Sequence, residues 1–242
     1  FIYRPEYLVD DLGSVENVRS ALNKARQACV EAGFDGLILL GEYRGTDPRH
    51  LQLMADEGLD YTFAYCWPMP AGRPSGREAI QAQESYWKKH AEQGIIPEVL
   101  TVSMGWDSTP WHYSSSIWQL TPDEFSEACS RAKAMAGTFP DDSLGSKMIL
   151  LDNWNEFGEG HYIFPHREHG FGYLDAARKA FTDDPPHVDL VPEDLGLGPY
   201  DSLYRGFKER IRDCARKVVS DGGLEPNLEA WYTFDEPEGT GY

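Results

Sequence analysis

Two carboxylates three residues apart, Glu156 and Glu159, lie in a glycine-rich segment that directly follows an apolar run ending at Leu151. Glycosidic bonds are hydrolysed by two carboxyl groups that flank the bond, about 5–5.5 Å apart in retaining enzymes and about 6.5–9.5 Å apart in inverting ones. On one helical turn, residues at i and i+3 have Cβ atoms about 5–6 Å apart, so this spacing suits the chemistry. Two close carboxylates also raise the pKa of one of them, which then supplies the acid. The spacing is also compatible with two exposed loop glutamates.

Side chains that could bind a sugar surround this pair and recur where other predicted strands end, the usual place for functional loops. The rings of Trp154 and Phe157 offer apolar faces to a sugar, and His161 offers ring nitrogens for hydrogen bonds. For the aromatic residues, packing in the core is the alternative. The predicted substrate-binding residues are Trp154, Asn155, His161, Tyr162, Trp106, Asp107, Glu42, Tyr43, Tyr3 and Arg4.

A second group of polar side chains follows the glutamates and consists of His161, His166, Glu168 and His169. Imidazole and carboxylate groups are ligands for zinc and similar ions. Their spacing matches no strong metal-binding motif, so we predict no metal site and no cofactor. A metal-dependent hydrolase built on this cluster remains an alternative class of function.

Strand-like and helix-like segments alternate about five times along the first 181 residues, which predicts parallel βαβ units. Continuous apolar runs predict the strands, and apolar residues at three- and four-residue steps predict the helices. One helix start is marked by a capping box, Thr121 to Glu124, with proline at the first helical position. The predicted strands are residues 1–3, 37–40, 61–67, 99–104 and 147–153, and the predicted helices begin after Ser14 and at 47, 78, 122 and 172.

This alternation is typical of either an open doubly wound sheet or a (β/α)8 barrel. No glycine-rich phosphate-binding motif follows any predicted strand, which weakens the nucleotide-binding version of the open sheet. Aromatic and acidic residues gather at the strand ends, where barrels concentrate their chemistry. We therefore predict an α/β fold of the (β/α)8 TIM-barrel type. Because about five strands are visible where eight are expected, the first strand–helix units are expected to be missing from this chain.

The character of the chain changes at Asp183-Asp184-Pro185-Pro186. We predict that residues 1–183 form the catalytic portion of the barrel. Residues 184–242, with a helix over 201–220 and a strand over 231–235, are predicted to be an extension that packs on the barrel or begins a further domain. The chain starts inside a predicted strand and has no initiator methionine, which suggests a processed or excised fragment.

Forty acidic residues against 22 basic ones give a net charge of −18. Binding to nucleic acid or an anionic membrane requires a basic footprint, so neither is expected as a partner. No apolar run approaches the roughly 18 residues that a membrane-spanning helix needs. The expected partner is an oligosaccharide or polysaccharide. The oligomeric state and the compartment stay open, with a secreted or periplasmic location favoured.

The segment 154–160, read together with the residues that follow it, resembles a family signature. WbsX-type proteins, which are close to the endo-α-mannosidases of glycoside hydrolase family 99, carry roughly W-N-E-W-x-E-G, then L-E-P, then G-x-x-Y-L. Residues 1–5 and 104–110 resemble further segments of the family in the same order, so the resemblance spans about residues 1 to 181. The matching positions after the glutamates are Pro165, Gly170, Tyr173 and Leu174.

The resemblance implies a (β/α)8 barrel and a retaining glycosidase that cleaves an α-mannoside-like bond. It assigns Glu156 as the base toward the substrate 2-hydroxyl, through an epoxide-like intermediate, and Glu159 as the general acid/base. Phe157 replaces the usual Trp, and Phe164 and His166 stand where the family usually carries acids, so the sugar stays open. The alternatives are a WbsX-type glycosyltransferase and a non-catalytic glycan-binding module.

Overall fold

The protein has an α/β fold, seen in a computed structural model that describes residues 1–111 and 113–185, together with 188 and 190. Residues 1–111 and 113–185 belong to a compact unit, Phe1–Pro186. Its helices are α1 (Glu6–Leu12), α2 (Val15–Glu31), α3 (Pro48–Glu57), α4 (Gly76–Gln93), α5 (Pro122–Ala136) and α6 (Gly172–Phe181). Its strands are β1 (Leu40–Glu42), β2 (Tyr61–Phe63), β3 (Thr101–Ser103), β4 (Gly105–Trp106), β5 (Trp118–Gln119) and β6 (Leu150–Asp152).

The parallel strands are neighbours in the order in which they occur along the chain. Ile2 forms a parallel bridge with Gly41 of β1, β1 pairs with β2, Thr62 of β2 bridges Glu98 just before β3, and β3 pairs with β6. A doubly wound sheet requires a reversal of this order at its centre, whereas a barrel does not. The described strands contain no such reversal, and their closure into eight strands remains a prediction.

All five predicted strands have different bounds in the structure. Residues 1–3 form only a bridge at Ile2, and the strands predicted over 99–104 and 147–153 shorten to β3 and β6. The strand predicted over 37–40 is displaced to β1, so Glu42 lies within a strand. The strand predicted over 61–67 ends at Phe63, because side chains replace its neighbouring strand as hydrogen-bond acceptors. The Ala64 N–H donates to the Thr101 hydroxyl at 3.3 Å, and the Trp67 N–H donates to the Ser103 hydroxyl at 3.1 Å. The chain beyond β2 is therefore free to leave the sheet.

The main core lies between the middle strands and helices α4, α5 and α6. Trp67 and Trp87 are both fully buried there, and both indole N–H groups donate to the Thr101 carbonyl, at 2.9 and 3.2 Å. A smaller cluster packs β1 against α3 through Leu51 and Met54. Antiparallel β4 and β5, which the sequence analysis did not predict, follow β3, and the Asp107 N–H just after β4 donates to the Glu159 carbonyl.

Helix α5 begins at the predicted capping box. The Thr121 hydroxyl accepts from the Glu124 N–H at 3.3 Å, while the Glu124 carboxylate accepts from the Thr121 N–H at 2.9 Å. Thr121→Ala removes the first of these bonds, so we expect the free energy of unfolding to fall by about 0.5–2 kcal/mol. Denaturant titration measures the change. Ser130→Ala, at an exposed position within the same helix, is the control and should stay within about 0.5 kcal/mol of wild type.

The predicted boundary between residues 183 and 184 remains a prediction. The helix predicted over 201–220 and the strand predicted over 231–235 lie outside the described residues. Within the described part of the chain, no helix combines the length and the apolar character needed to span a bilayer.

Candidate active site

The two motif glutamates lie at either end of one short turn that follows β6. Residues Phe157–Glu159 form a single turn of 3-10 helix, preceded by Glu156 and ended by Gly160 in a left-handed conformation (φ 67°). The Glu156 carbonyl accepts from the Glu159 N–H at 3.1 Å and from the His161 N–H at 3.4 Å. This turn therefore presents Glu156, Glu159 and His161 together at the carboxyl end of the sheet.

The Glu159 carboxylate is held on one side by two side chains from different elements. Its Oε2 atom accepts from the Tyr65 hydroxyl at 2.8 Å and lies 3.0 Å from His161 Nε2. Burial and the neighbouring Glu159 carboxylate raise the pKa of Tyr65, so the phenol stays a hydrogen-bond donor. The Glu159 side chain is 26% exposed, so the carboxyl group is anchored but still accessible.

A buried ion pair lies behind Glu159. The His161 ring is fully buried, and its Nδ1 atom lies 2.6 Å from Oδ1 of Asp152, the last residue of β6. Burial alone would lower the pKa of His161, but hydrogen bonds to Asp152 and Glu159 outweigh it, so the pKa is raised. Both ring nitrogens face carboxylate oxygens, so the ring links Asp152 to Glu159. His161 was predicted to contact the substrate, whereas the structure places it beneath the carboxylate.

Arg44, which the sequence analysis did not single out, connects several of the predicted residues. Its guanidinium donates to the buried Glu42 carboxylate at 2.6 Å and to the Tyr3 hydroxyl at 2.8 Å. It also lies over the Tyr65 ring, 4.8 Å from the centroid. Glu42 and Tyr3 therefore join the site through Arg44, and the Glu42 carboxylate is occupied by this ion pair.

Trp106 and Asp107 lie beside the turn that carries the two glutamates. The Trp106 ring is tilted against the His161 ring at 5.2 Å, and the Asp107 N–H donates to the Glu159 carbonyl at 2.6 Å. The Asp107 carboxylate accepts from the Thr109 hydroxyl and N–H, which holds its pKa below the usual range. Asp107 therefore supports the backbone of the turn while its own carboxylate orders the loop after β4.

Gly160 is required both by its conformation and by this close contact. A Cβ atom at Gly160 would lie 2.7 Å from the Asp107 Cβ and 2.9 Å from its backbone N, at a left-handed φ. We expect Gly160→Ala to lower the free energy of unfolding by about 1–3 kcal/mol and to lower any turnover, because the turn carrying Glu159 must shift. Gly170→Ala is a matched control, since Gly170 also has a positive φ but no atom lies within 4 Å of its added Cβ. An equal effect of both substitutions, measured by denaturation, would contradict the steric argument.

Aromatic side chains are exposed around the turn. Trp154 is 47% exposed and Phe157 53% exposed, and both rings pack edge-on against Phe164. Tyr162 packs against Phe157 at 5.0 Å, and the Trp111 ring lies against Gly158. Exposed apolar patches of this kind mark binding surfaces in soluble proteins. Asn155, also exposed, contributes its carbonyl to the backbone of the turn.

Two of the predicted substrate-binding residues are not brought to the carboxylates. The Tyr43 ring stacks on His50 at 4.0 Å and packs against the smaller core cluster, because it points to the opposite face of β1 from Glu42. The Arg4 guanidinium pairs with Glu6 at 2.9 Å and lies over the Tyr7 ring. Tyr43 and Arg4 were predicted to bind substrate. In the structure Tyr43 packs against the core, and Arg4 pairs with Glu6 at the start of α1.

A buried group that could hold a metal ion lies behind the site and consists of Cys66, Asp152 and His161. Both His161 nitrogens already contact carboxylates, those of Asp152 and Glu159. Burial and the adjacent Asp152 carboxylate raise the pKa of the Cys66 thiol, which disfavours the thiolate that a metal requires. These residues fit a hydrogen-bonded network better than a metal site.

Comparison with known proteins gives a structural match and a family match. A structure of the GH99 endo-alpha-mannosidase from Bacteroides thetaiotaomicron is similar to this chain at 16% identity and a TM-score of 0.38, over 61% of this chain and 43% of that one. The chain thus spans less than half the length of that enzyme. No curated protein matches the sequence. The family model described as glycosyltransferase WbsX matches residues 1–177, well over half of the chain and all of the glutamate turn, so the protein belongs to the WbsX family.

Proposed function

We propose that the protein processes glycans by a retaining glycosidase mechanism, cleaving an α-mannoside-like bond with Glu156 and Glu159. The observation that carries the proposal is the position of Glu159. It lies in the family motif at the carboxyl end of the sheet, anchored by Tyr65 and His161 on one oxygen and accessible elsewhere. An exposed loop glutamate without a function would have no reason for this support from Tyr65, 94 residues away, and from the buried His161.

Glu159 is suited to the general acid/base role. Both of its anchoring bonds go to Oε2, and the described residues provide no hydrogen bond to Oε1. The free oxygen can therefore carry the proton that a glycosidic oxygen receives, while the anchored oxygen fixes the orientation of the carboxyl group. Such pre-organisation lowers the cost of reaching the reactive geometry.

Glu156 acts on the 2-hydroxyl group of the substrate. In the first step its carboxylate takes the 2-hydroxyl proton, the 2-oxygen bonds to C1, and Glu159 protonates the departing glycosidic oxygen. In the second step Glu159 takes a proton from water, the water oxygen attacks C1, the C1–O2 bond breaks, and Glu156 returns its proton to the 2-oxygen. Two inversions at C1 give net retention.

The surroundings of the turn suit a glycan in particular. Trp154, Phe157 and Phe164 expose ring faces beside the carboxylates, and Tyr162 adds a ring with a hydroxyl. Sugar rings present apolar faces as well as hydroxyls, so a site combining exposed aromatic rings and carboxylates matches both. We therefore propose Trp154 and Tyr162 as residues that contact the substrate.

Glycosyl transfer is the second candidate, favoured by the description of the matched family as a glycosyltransferase. The first step would be unchanged, and a hydroxyl of an acceptor sugar would replace water in the second step. The two functions therefore share their residues and differ only in the acceptor.

Product analysis tests the proposal and separates the two candidates. The full chain is incubated with a panel of α-mannans and other polysaccharides, and new reducing ends and longer products are both measured. Hydrolysis with an anomeric configuration that matches the substrate supports a retaining glycosidase, and elongated products support transfer. If glycans bind but none is cleaved or extended, the protein is a non-catalytic glycan-binding module and the proposal is wrong.

A further inference from the structure

We propose that His166, Glu168 and His169 form a binding site for a divalent transition-metal ion of the zinc class. The three donor groups lie on the loop between the glutamate turn and α6, and one donor atom of each lies within 4.8 Å of the others. Two neutral imidazoles and one carboxylate form a donor set that zinc accepts, with a fourth position left for water. The function proposed for Glu156 and Glu159 does not require this ion.

The hydrogen bond of His166 leaves Nε2 as the ring nitrogen available to a metal. Its Nδ1 atom lies 2.9 Å from the Phe164 carbonyl, which can only accept, so the proton is on Nδ1. The Nε2 atom of the neutral ring therefore carries a lone pair. Metal-binding histidines characteristically donate their other N–H to a backbone carbonyl or carboxylate in this way.

The lone pair on His166 Nε2 is buried without a hydrogen-bond partner among the described residues. A buried polar atom without a partner is costly, and its presence calls for a ligand or an ordered water. A ring nitrogen of His166 lies within 4.8 Å of one donor atom each of Glu168 and His169. Glu168 Oε1 lies 3.9 Å from His169 Nε2, a separation that two ligands of one tetrahedral ion can approach with a small side-chain adjustment.

The loop holds the three side chains close together in spite of their unusual spacing. His166 and Gly170 form an antiparallel bridge, with the Gly170 N–H donating to the His166 carbonyl at 2.7 Å. The Tyr173 ring supports both imidazoles from below, stacked on His166 at 5.8 Å and edge-on to His169 at 5.5 Å. The tight turn therefore places residues i, i+2 and i+3 around one point.

His161, grouped with these residues in the sequence analysis, belongs to a different site. Both of its nitrogens contact carboxylates within the buried network beneath Glu159. The predicted four-residue cluster thus separates into a network residue and a three-ligand loop site. The net charge of −18 further favours cation binding at an accessible site.

Isothermal titration calorimetry of the chelator-treated full chain with zinc chloride tests the proposal, and cobalt(II) absorption reports the coordination geometry. We expect one zinc ion per chain in the wild type and none at this affinity in His166→Gln/His169→Gln. Glu168→Gln should weaken binding at least about 10-fold, because loss of even an outer-shell partner costs about 10–100-fold. Glu168 is 71% exposed at its side chain, so this substitution tests the ligand without disturbing the fold.

His50→Gln, which removes a histidine from α3, is the matched control and should bind zinc as the wild type does. The proposal is overturned if the wild type binds no zinc, or if the double variant binds it with unchanged affinity. Unchanged affinity in Glu168→Gln would likewise overturn the three-ligand site. Because each readout is direct binding, failure of this proposal is distinguishable from failure of the proposed glycosidase function.

Discussion

Glu159→Gln is expected to lower kcat on a cleaved glycan by roughly 10²–10⁴-fold, the usual contribution of a general acid or base. Gln cannot give or take the proton, yet its amide has nearly the same shape and can keep one hydrogen bond to the Tyr65 hydroxyl. Glycan binding should therefore persist while turnover is lost. Steady-state kinetics on the best substrate of the panel, with glycan affinity measured separately, checks both parts.

Glu156→Gln is expected to cause a loss of similar size, because the 2-hydroxyl then keeps its proton and the first step fails. Glu127→Gln provides a matched control, since Glu127 is an exposed glutamate on α5 that pairs only with Arg131 in the described structure. That variant should keep full activity. Retained turnover in both Glu156→Gln and Glu159→Gln would remove the assignment of the pair.

Helices α2 to α6 could be predicted closely because their signals are local, whereas the short helix α1 (Glu6–Leu12) was not predicted. The capping box at Thr121 and the apolar period of the residues behind it depend only on neighbours in the chain, and α5 and α6 occur where the sequence placed them. The predicted strand bounds were less accurate, because a strand ends where its hydrogen bonds to the neighbouring strand end. The side chains of Thr101 and Ser103 that end β2 are about 40 residues away from it in the sequence.

The support of the site could not be predicted from the sequence for a related reason. Glu159 was identifiable from its motif, but its hydrogen bond to Tyr65 joins residues 94 positions apart. Asp152 was hidden because a carboxylate that ends an apolar strand resembles the start of any polar loop. Arg44, two residues past Glu42, also gave no signal by itself. Residue types at strand ends predict where a site lies. Which of these side chains contact each other depends on how the strands are arranged in the sheet.

These side-chain contacts divide the predicted residues into an accessible group and a buried group. Glu156 and Trp154 are accessible and can meet a substrate, whereas His161 and Glu42 are buried and can act only through Glu159 and Arg44. Loss of an accessible residue should therefore change turnover at nearly constant stability. Loss of a buried one should change stability first, because it leaves a charge without a partner.

His161→Leu is accordingly expected to lower the free energy of unfolding by about 3–5 kcal/mol, since it leaves Asp152 buried without its partner. Asp152 is only 5% exposed, and burial raises the pKa of its carboxyl group although His161 opposes the rise. The double variant Asp152→Asn/His161→Leu removes the charge as well. Its destabilisation should be smaller than the sum of the two single effects, as a double-mutant cycle by denaturant titration would show.

A second buried pair provides a control that separates an effect on protein stability from an effect on the position of Glu159. His90 Nδ1 lies 3.2 Å from Glu98 Oε1 in a pair as deeply buried as that of His161, but it lies outside the glutamate site. His90→Leu should therefore destabilise the protein to a comparable extent and leave kcat nearly unchanged under conditions where the chain stays folded. His161→Leu should lower kcat under the same conditions, because Glu159 loses one of its two anchors.

The pH dependence of the unfolding free energy tests the ion pair between His161 and Asp152. The pKa of His161 is raised in the folded protein above its usual value of 6.5, so the stability that its protonation provides is fully present below that value. This contribution is lost as the pH rises through the raised pKa. The difference in unfolding free energy between wild type and His161→Leu should thus shrink with rising pH above about 6.5. A difference that stays constant or grows would mean that His161 is neutral in the folded protein and supports Glu159 through a single donated proton.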